Sequence, residues 1–284
     1  MVISVASATP HYRLIHDRLA LILGVCLVVA VLYWDSFTSL ARQWNMTDHA
    51  HGLAIFPIAA FLLWHNRHKL QGAEIRPSLL GLLAVALVVG VWIAGKATVV
   101  GVVEHFATIA LIPAAVLAFL GIDLARRAAF PLLFLLFAAP VSDALVPHLM
   151  LLTADISTFL LRLSGIPVLR EGQYLALPGG SFVVADVCSG VRYLMAGLVV
   201  STIYVYYTFN SLGRRVGFVF VTAIVMVLTN GVRAYIVMAV ASATDGKILG
   251  GADHIWFGWL LFALVLFTMM WLGSRYAEHD ENPQ

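Results

Sequence analysis

Charge is what this chain has least of. Only 11% of its 284 residues are Asp, Glu, Lys or Arg, and 61% are hydrophobic, where an average soluble domain carries roughly a quarter charged residues. A soluble globular class is thereby excluded. Cysteine is nearly absent as well: Cys26 and Cys188 are the whole supply, which rules out a disulfide-rich scaffold and a cysteine-based zinc cluster. There is no internal repeat and no low-complexity linker. Neither a phosphate-cradling glycine loop nor a basic face for nucleic acid is present. The net charge of +2 says little about partners, because in a membrane protein the location of charge matters more than its sum.

What the chain does have is apolar runs, several of them near the length of about 20 residues that crosses a bilayer. They fall near 19–34, 50–64, 79–95, 105–121, 128–146, 189–209, 216–241 and 255–273. The expected fold is an all-α polytopic membrane protein of about eight transmembrane helices, forming a single domain over residues 1–284. The first run, Leu19 to Trp34, follows His11, Arg13, His16 and Arg18 but ends in no small-residue cleavage site, so it reads as a retained first helix. Arg13, Arg18, Arg67, Lys69, Arg76, Arg126, Arg127, Arg214, Arg215 and Arg275 lie in alternate loops. The positive-inside rule puts those loops in the cytoplasm, together with both termini. Segment 144–163 is apolar enough for a further span, but an additional crossing would carry Arg214 and Arg215 outside. With Asp143, Pro147, His148, Asp155 and Arg162 in or beside it, it is expected as an interfacial or shallow re-entrant helix in an extracytoplasmic region ahead of the sixth span.

Ionisable residues inside spans cost roughly 2.5–3.5 kcal/mol on insertion scales, which makes each a functional hypothesis. Arg233, in VLTNGVRAYIVMAV, sits roughly 25 Å from the cytoplasmic end of its span at 1.5 Å per residue, in the outer third of the bilayer. Asn230 lies three residues earlier on the same helix face. Arg233 is either a snorkelling or ion-paired structural cation or part of a site. Cys188, in VADVCSGVRYLMAG, is expected at the outer start of the sixth span, with Arg192 four residues on and so on the same face. A helix N-terminus and nearby cations lower a thiol pKa, and free backbone N–H groups around Ser189 and Gly190 could hold an oxyanion. Cys26, in an all-apolar run, reads as packing. His254, in GGADHIWFGWLLF, sits at the same outer level and could act as a general base or acid. Asp253 beside it suits a helix N-cap better than an orienting carboxylate. Cys188, Arg233 and His254 share one depth on three spans and could form a hydrolytic or acyl-transfer centre. His49 and His51, two apart in TDHAHGLAIFP, share no helical face, which argues against a metal site.

The stretches REGQYLALPGGSFVVADVCSGVRYL, NGVRAYIVM and DHIWFGWLLF, in that order, resemble the bacterial exosortase family, and His51-Gly52 and PLLFLLFAAPV resemble its earlier landmarks. The DH-to-GW segment is most similar to the exosortase A subgroup, associated with exopolysaccharide loci. The resemblance implies a membrane-embedded cysteine peptidase or transpeptidase of the cell inner membrane, with its site on the periplasmic face. Its implied partners are the lipid bilayer, membrane-anchored substrates and proteins of an exopolysaccharide locus. The substrates' C-terminal tails would combine a Pro-Glu-Pro motif, a transmembrane helix and a basic cluster. On that resemblance Cys188, Arg233 and His254 are catalytic, Arg192, Asn230 and Asp253 support them, and no metal or organic cofactor is implied. Val187 departs from the family, which often has a small residue before the cysteine. A transporter that binds an anion at Arg233, or an assembly scaffold indifferent to Cys188, is the competing expectation. A transporter predicts broken helices and internal pseudo-symmetry.

Overall fold

A computed structural model describes residues 31–45, 51–244, 247–248 and 253–277. Cys26, His49 and nearly all of the expected first span lie outside them. The described chain is mainly helical, and six helical segments are long and apolar enough to cross a membrane: Leu79–Ala97, Gly101–Phe119, Val141–Leu163, Asp186–Thr208, Leu212–Ala243 and Asp253–Ser274. Two compact units divide it, one of residues 1–46 and 56–139, the other of residues 47–55 and 140–284.

The first unit contains α1 (Trp34–Trp44), most of α2 (His51–His65), α3 (Leu79–Ala97), α4 (Gly101–Phe119) and α5 (Ala129–Phe134). Residues 35–44, expected as a loop, are helical instead: Ser36 and Leu40, one turn apart, are buried while Asp35 and Arg42 face outward. At 15 residues, α2 is shorter than a full span. Helices α3 and α4 form a tight antiparallel hairpin, with Gly81 against Ala118 and Gly95 against Glu104. Glu104 is affordable in this apolar setting because it is paired: its carboxylate accepts from Ser36 Oγ at 2.5 Å and meets Lys96 Nζ at 3.4 Å. Buried His105 lies 2.9 Å from Ser39 Oγ through Nε2.

The fifth expected span, 128–146, does not form as one helix. α5 continues as a 3-10 turn to Ala138 and stops, with Ala139 extended at ψ 133°. Ala139 precedes Pro140, and a residue before proline is driven out of the α region. Past the proline, a 3-10 turn over Val141–Leu145 leads straight into α6 (Val146–Leu163). Pro147 falls in the first turn of α6, where a missing N–H costs nothing, so it does not interrupt the segment. Val141–Leu163 thus meets the length and composition of a span, where the sequence suggested an interfacial or shallow re-entrant helix over 144–163. It takes the place of 128–146 as a candidate crossing and adds none, so the alternation of basic loops survives.

In the second unit α6 packs its buried face, which includes Met150, Thr153, Ala154, Ser157 and Leu161, against α8 (Leu212–Ala243). The contacts Thr153–Asn230, Ser157–Gly231 and Ser164–Tyr235 advance together along the chain, so the two helices run in the same sense. Between α6 and α7 (Val191–Thr208) lies a three-stranded antiparallel sheet of β1 (Leu169–Glu171), β2 (Tyr174–Leu177) and β3 (Gly180–Val183), paired in that order. The sheet lies past segment 144–163, in the loop region expected ahead of the sixth span, and places strands where the sequence suggested none. Its strands alternate: Leu175 and Leu177 are buried with Val184 against Met150, Ala154, Ala234 and Met238, while Tyr174 and Ala176 are exposed. Exposed Asp155 of α6 pairs with Arg170 of β1 and ties helix to sheet.

With 32 residues, α8 is about 48 Å long at 1.5 Å per residue, well over the hydrocarbon thickness of about 30 Å. Its last turn supports the hairpin between β2 and β3, where Gly179 N–H donates to Ser242 Oγ at 3.1 Å. Helix α9 (Asp253–Ser274) closes the unit, with Phe262 stacked on Tyr193 of α7 at a ring separation of 3.8 Å.

The α3–α4 hairpin is testable. A Cβ at Gly81 would lie 2.3 Å from Ala118 Cα, whereas one at Gly90 of the same helix meets nothing within 4 Å. Gly81→Leu is expected to lower the thermal midpoint of the detergent-solubilised protein, through overpacking of about 1–3 kcal/mol. Gly90→Leu is expected to leave it unchanged.

Candidate active site

Cys188 does not belong to the helix that follows it. It ends a 3-10 turn over Asp186–Cys188, and α7 starts at Val191 only after Gly190 adopts a left-handed φ of 82°. The turn is closed by Cys188 N–H donating to Ala185 O at 2.8 Å and Ser189 N–H donating to Asp186 O at 3.0 Å. Val191 N–H donates to Ser189 Oγ at 3.3 Å. Of the backbone donors around Ser189 and Gly190 that were expected to be free for an oxyanion, those of Cys188, Ser189 and Val191 are therefore occupied. The interruption at Gly190 also removes the helical i, i+4 relation between Cys188 and Arg192.

Asn230 of α8 fixes this turn from below. Its Nδ2 donates to Cys188 O and to Thr153 Oγ1, both at 2.9 Å, so one buried amide joins α6, α8 and the cysteine turn. The fit depends on Gly190: a Cβ there would lie 2.4 Å from Asn230 Cγ. Glycine is thus required twice, for the positive φ and for the close approach. Asn230 Oδ1 is buried without a hydrogen-bond partner among the described residues.

One turn further along α8, Arg233 is only 5% exposed. Its Nη2 donates to the backbone carbonyl of His254 at 3.4 Å, and its guanidinium carbon lies 5.7 Å from the centre of the Tyr193 ring. Delocalised, weakly hydrated charge suits an aromatic face and a buried setting. Tyr193 is itself held between Phe262, stacked upon it, and Trp259, edge-on at 5.8 Å. Gly258 makes room for the arrangement, since a Cβ there would come within 2.5 Å of Tyr193 Oη and 2.7 Å of Arg233 Nε. Arg233 Nε has no hydrogen-bond partner among the described residues.

The half-buried thiol of Cys188 is free. Together with Arg233 and His254 it lines one cavity of about 200 Å³. The rest of the wall is apolar and comes from the end of the sheet and the upper part of α8, including Phe182, Val183, Val184 and Met238. A cysteine, a histidine and an arginine lining one small apolar space can together bind a peptide carbonyl, supply a nucleophile and move a proton. Arg192, Asn230 and Asp253 are not among the lining residues. Arg192 is half-buried in the first turn of α7, Asn230 reaches the cysteine through its backbone, and exposed Asp253 opens α9, where a carboxylate meets the positive end of the helix dipole.

Thr153, Tyr193 and Gly258 are contributors that sequence reasoning missed. Thr153 lies in the helix expected at the interface, with no local mark of its role. Tyr193 and Gly258 fall inside the quoted motifs, where their identities were visible but their contacts were not.

Asn230→Ala removes both amide hydrogen bonds and strands the Cys188 carbonyl. It is expected to cost about 1–3 kcal/mol, read as a lower unfolding midpoint and as faster alkylation of Cys188 in the native protein. Asn230→Ala in a Cys188→Ser background should retain the stability loss and abolish the labelling.

A family model described as transmembrane exosortase matches residues 44–271. No match was found among curated proteins or among solved structures. The matched region takes in all six candidate spans but the last three residues of α9, together with the sheet, the cysteine turn and every residue around the cavity. On that coverage the chain belongs to the transmembrane exosortase family.

Proposed function

We propose that this exosortase is a cysteine peptidase or transpeptidase of the inner membrane. It acts at the periplasmic face on proteins whose C-terminal tail combines a Pro-Glu-Pro motif, a transmembrane helix and a basic cluster, and it serves exopolysaccharide export. The single observation that supports the reading best is the convergence of Cys188, Arg233 and His254 on one cavity. Family membership supports it independently.

In this reading the substrate's membrane helix docks beside the spans and brings a peptide bond to the cavity. His254 takes the thiol proton, and Cys188 Sγ attacks the carbonyl carbon. Negative charge that develops on the oxygen is stabilised by Arg233, whose field is strong in an apolar wall. Collapse of the tetrahedral species breaks the C–N bond as His254 returns its proton to the leaving amine, and a thioester remains. Water or an amine then attacks the thioester and restores the thiol. Asn230 is a positioning residue, since it touches the nucleophile's backbone alone. Site depth follows from the basic loops: with Arg214 and Arg215 cytoplasmic, α8 carries Arg233 to the outer side.

The test is processing of a tripartite-tail reporter in cells. Cys188→Ala is expected to leave the reporter full length at unchanged enzyme level in the membrane. His254→Ala is expected to slow processing by about 10²–10⁴-fold, and Arg233→Lys by about 10²–10³-fold. Normal processing by Cys188→Ala would overturn the reading. A membrane-impermeant maleimide applied from the periplasm should label Cys188, and protection there with labelling from the cytoplasm would overturn the orientation.

A further inference from the structure

The sheet beside the cavity has an open edge. β2 pairs with β3 in the register Leu175↔Phe182 and Leu177↔Gly180, and Val184 N–H continues the ladder by donating to Gln173 O at 3.0 Å. Residues 180, 182 and 184 therefore turn their backbone polar groups toward β2, while Ser181 and Val183 turn theirs away. Among the described residues no strand pairs with that outer side. Ser181 is exposed, and Val183 is 48% exposed. Val183 O accepts from Ala185 N–H at 3.1 Å, which leaves the Ser181 N–H and C=O and the Val183 N–H facing outward. This edge leads into the candidate site, because Val183 and Val184 line the same cavity as Cys188. β1, the other edge strand, contributes no residue to that cavity.

We propose that the Pro-Glu-Pro segment of the substrate binds as a fourth strand on the outer edge of β3, which feeds the following peptide into the Cys188 cavity. The inference rests on the peptidase reading for the identity of the peptide and adds how it is held. Backbone groups of an extended strand alternate sides with period two. Two prolines separated by one residue therefore place both missing N–H groups on the same side, away from β3. The intervening glutamate presents its N–H and C=O to the edge. An edge strand tolerates proline only in that phase, and strand addition draws its affinity from main-chain hydrogen bonds.

The test uses the full-length chain in nanodiscs and a fluorescent peptide, Ala-Pro-Glu-Pro-Ala-Ala. Binding is read on the Cys188→Ala protein and reporter cleavage on the wild type. N-methylation of the glutamate amide, whose N–H meets the one free acceptor of the edge, Ser181 C=O, is expected to weaken binding about five- to tenfold, one net hydrogen bond. N-methylation of the final alanine, whose N–H points away, is expected to change it less than about twofold. Ser181→Pro, which removes an outward N–H of the edge, should raise the KM for the reporter without changing kcat. Penalties that do not alternate, or an unchanged KM in Ser181→Pro, would overturn strand addition even though the wild type cleaves the reporter. Alternating penalties with a wild type that cannot cleave would uphold strand addition and overturn the peptidase reading.

Discussion

A guanidinium buried inside an apolar helix is the constraint around which the second unit is built. A guanidinium is a cation with five N–H donors and no acceptor, so the surroundings of Arg233 must accommodate both charge and donors. The Tyr193 face, the His254 carbonyl and the space left by Gly258 do so. The first comes from α7 and the other two from α9, and meeting that need draws α7, α8 and α9 to one point. A lysine would meet the same need poorly, because a compact and strongly hydrated ammonium neither spreads over a ring nor reaches two partners in one plane. The cation thus organises packing before any chemistry is considered.

Below the nucleophile the same economy holds. One asparagine amide ties α6 and α8 to the cysteine turn, and the glycine after that turn is what lets the amide approach. The thiol is presented on a short 3-10 turn with an αL break behind it. Its direction is therefore set by tertiary hydrogen bonds rather than by the axis of α7. The length of α8 extends this arrangement outward: its final turn carries the sheet, so α8 supports the apolar wall of the cavity and supplies Arg233, while Cys188 comes from the turn before α7 and His254 from α9.

Much of this was legible from composition. Hydropathy located most of the long helices to within a few residues, since a bilayer demands long apolar runs with internally satisfied backbones. It misread the region from 128 to 183, where the placement of two prolines and three short strands decide the structure. Pro140 ends α5 through its steric effect on Ala139, while Pro147 is harmless because of where it falls in α6. Average hydropathy does not weigh proline by position. The YLAL alternation and the turns at Gly172 and Pro178-Gly179 marked a small sheet, but strands this short carry little signal beside long apolar runs. In α1 the mixed polarity of WDSFTSLARQW resembled a loop, although burial of Ser36 and Leu40 one turn apart makes it a helix.

The sequence by itself determined the class of the molecule and the identity of its costly residues. Water and hydrocarbon differ so strongly as solvents that charge-poor apolar runs have few destinations, and an arginine or cysteine set among them stands out. Only the tertiary structure decided which of those residues meet. Cys188, Arg233 and His254 line one cavity, whereas Arg192, grouped with Cys188 by helical spacing, loses that spacing at Gly190 and does not line it. Spacing predicts neighbours only while the backbone keeps one conformation. One residue in the left-handed region is enough to redirect the chain, and the contact that compels it, Gly190 against Asn230, lies 40 residues away along the chain.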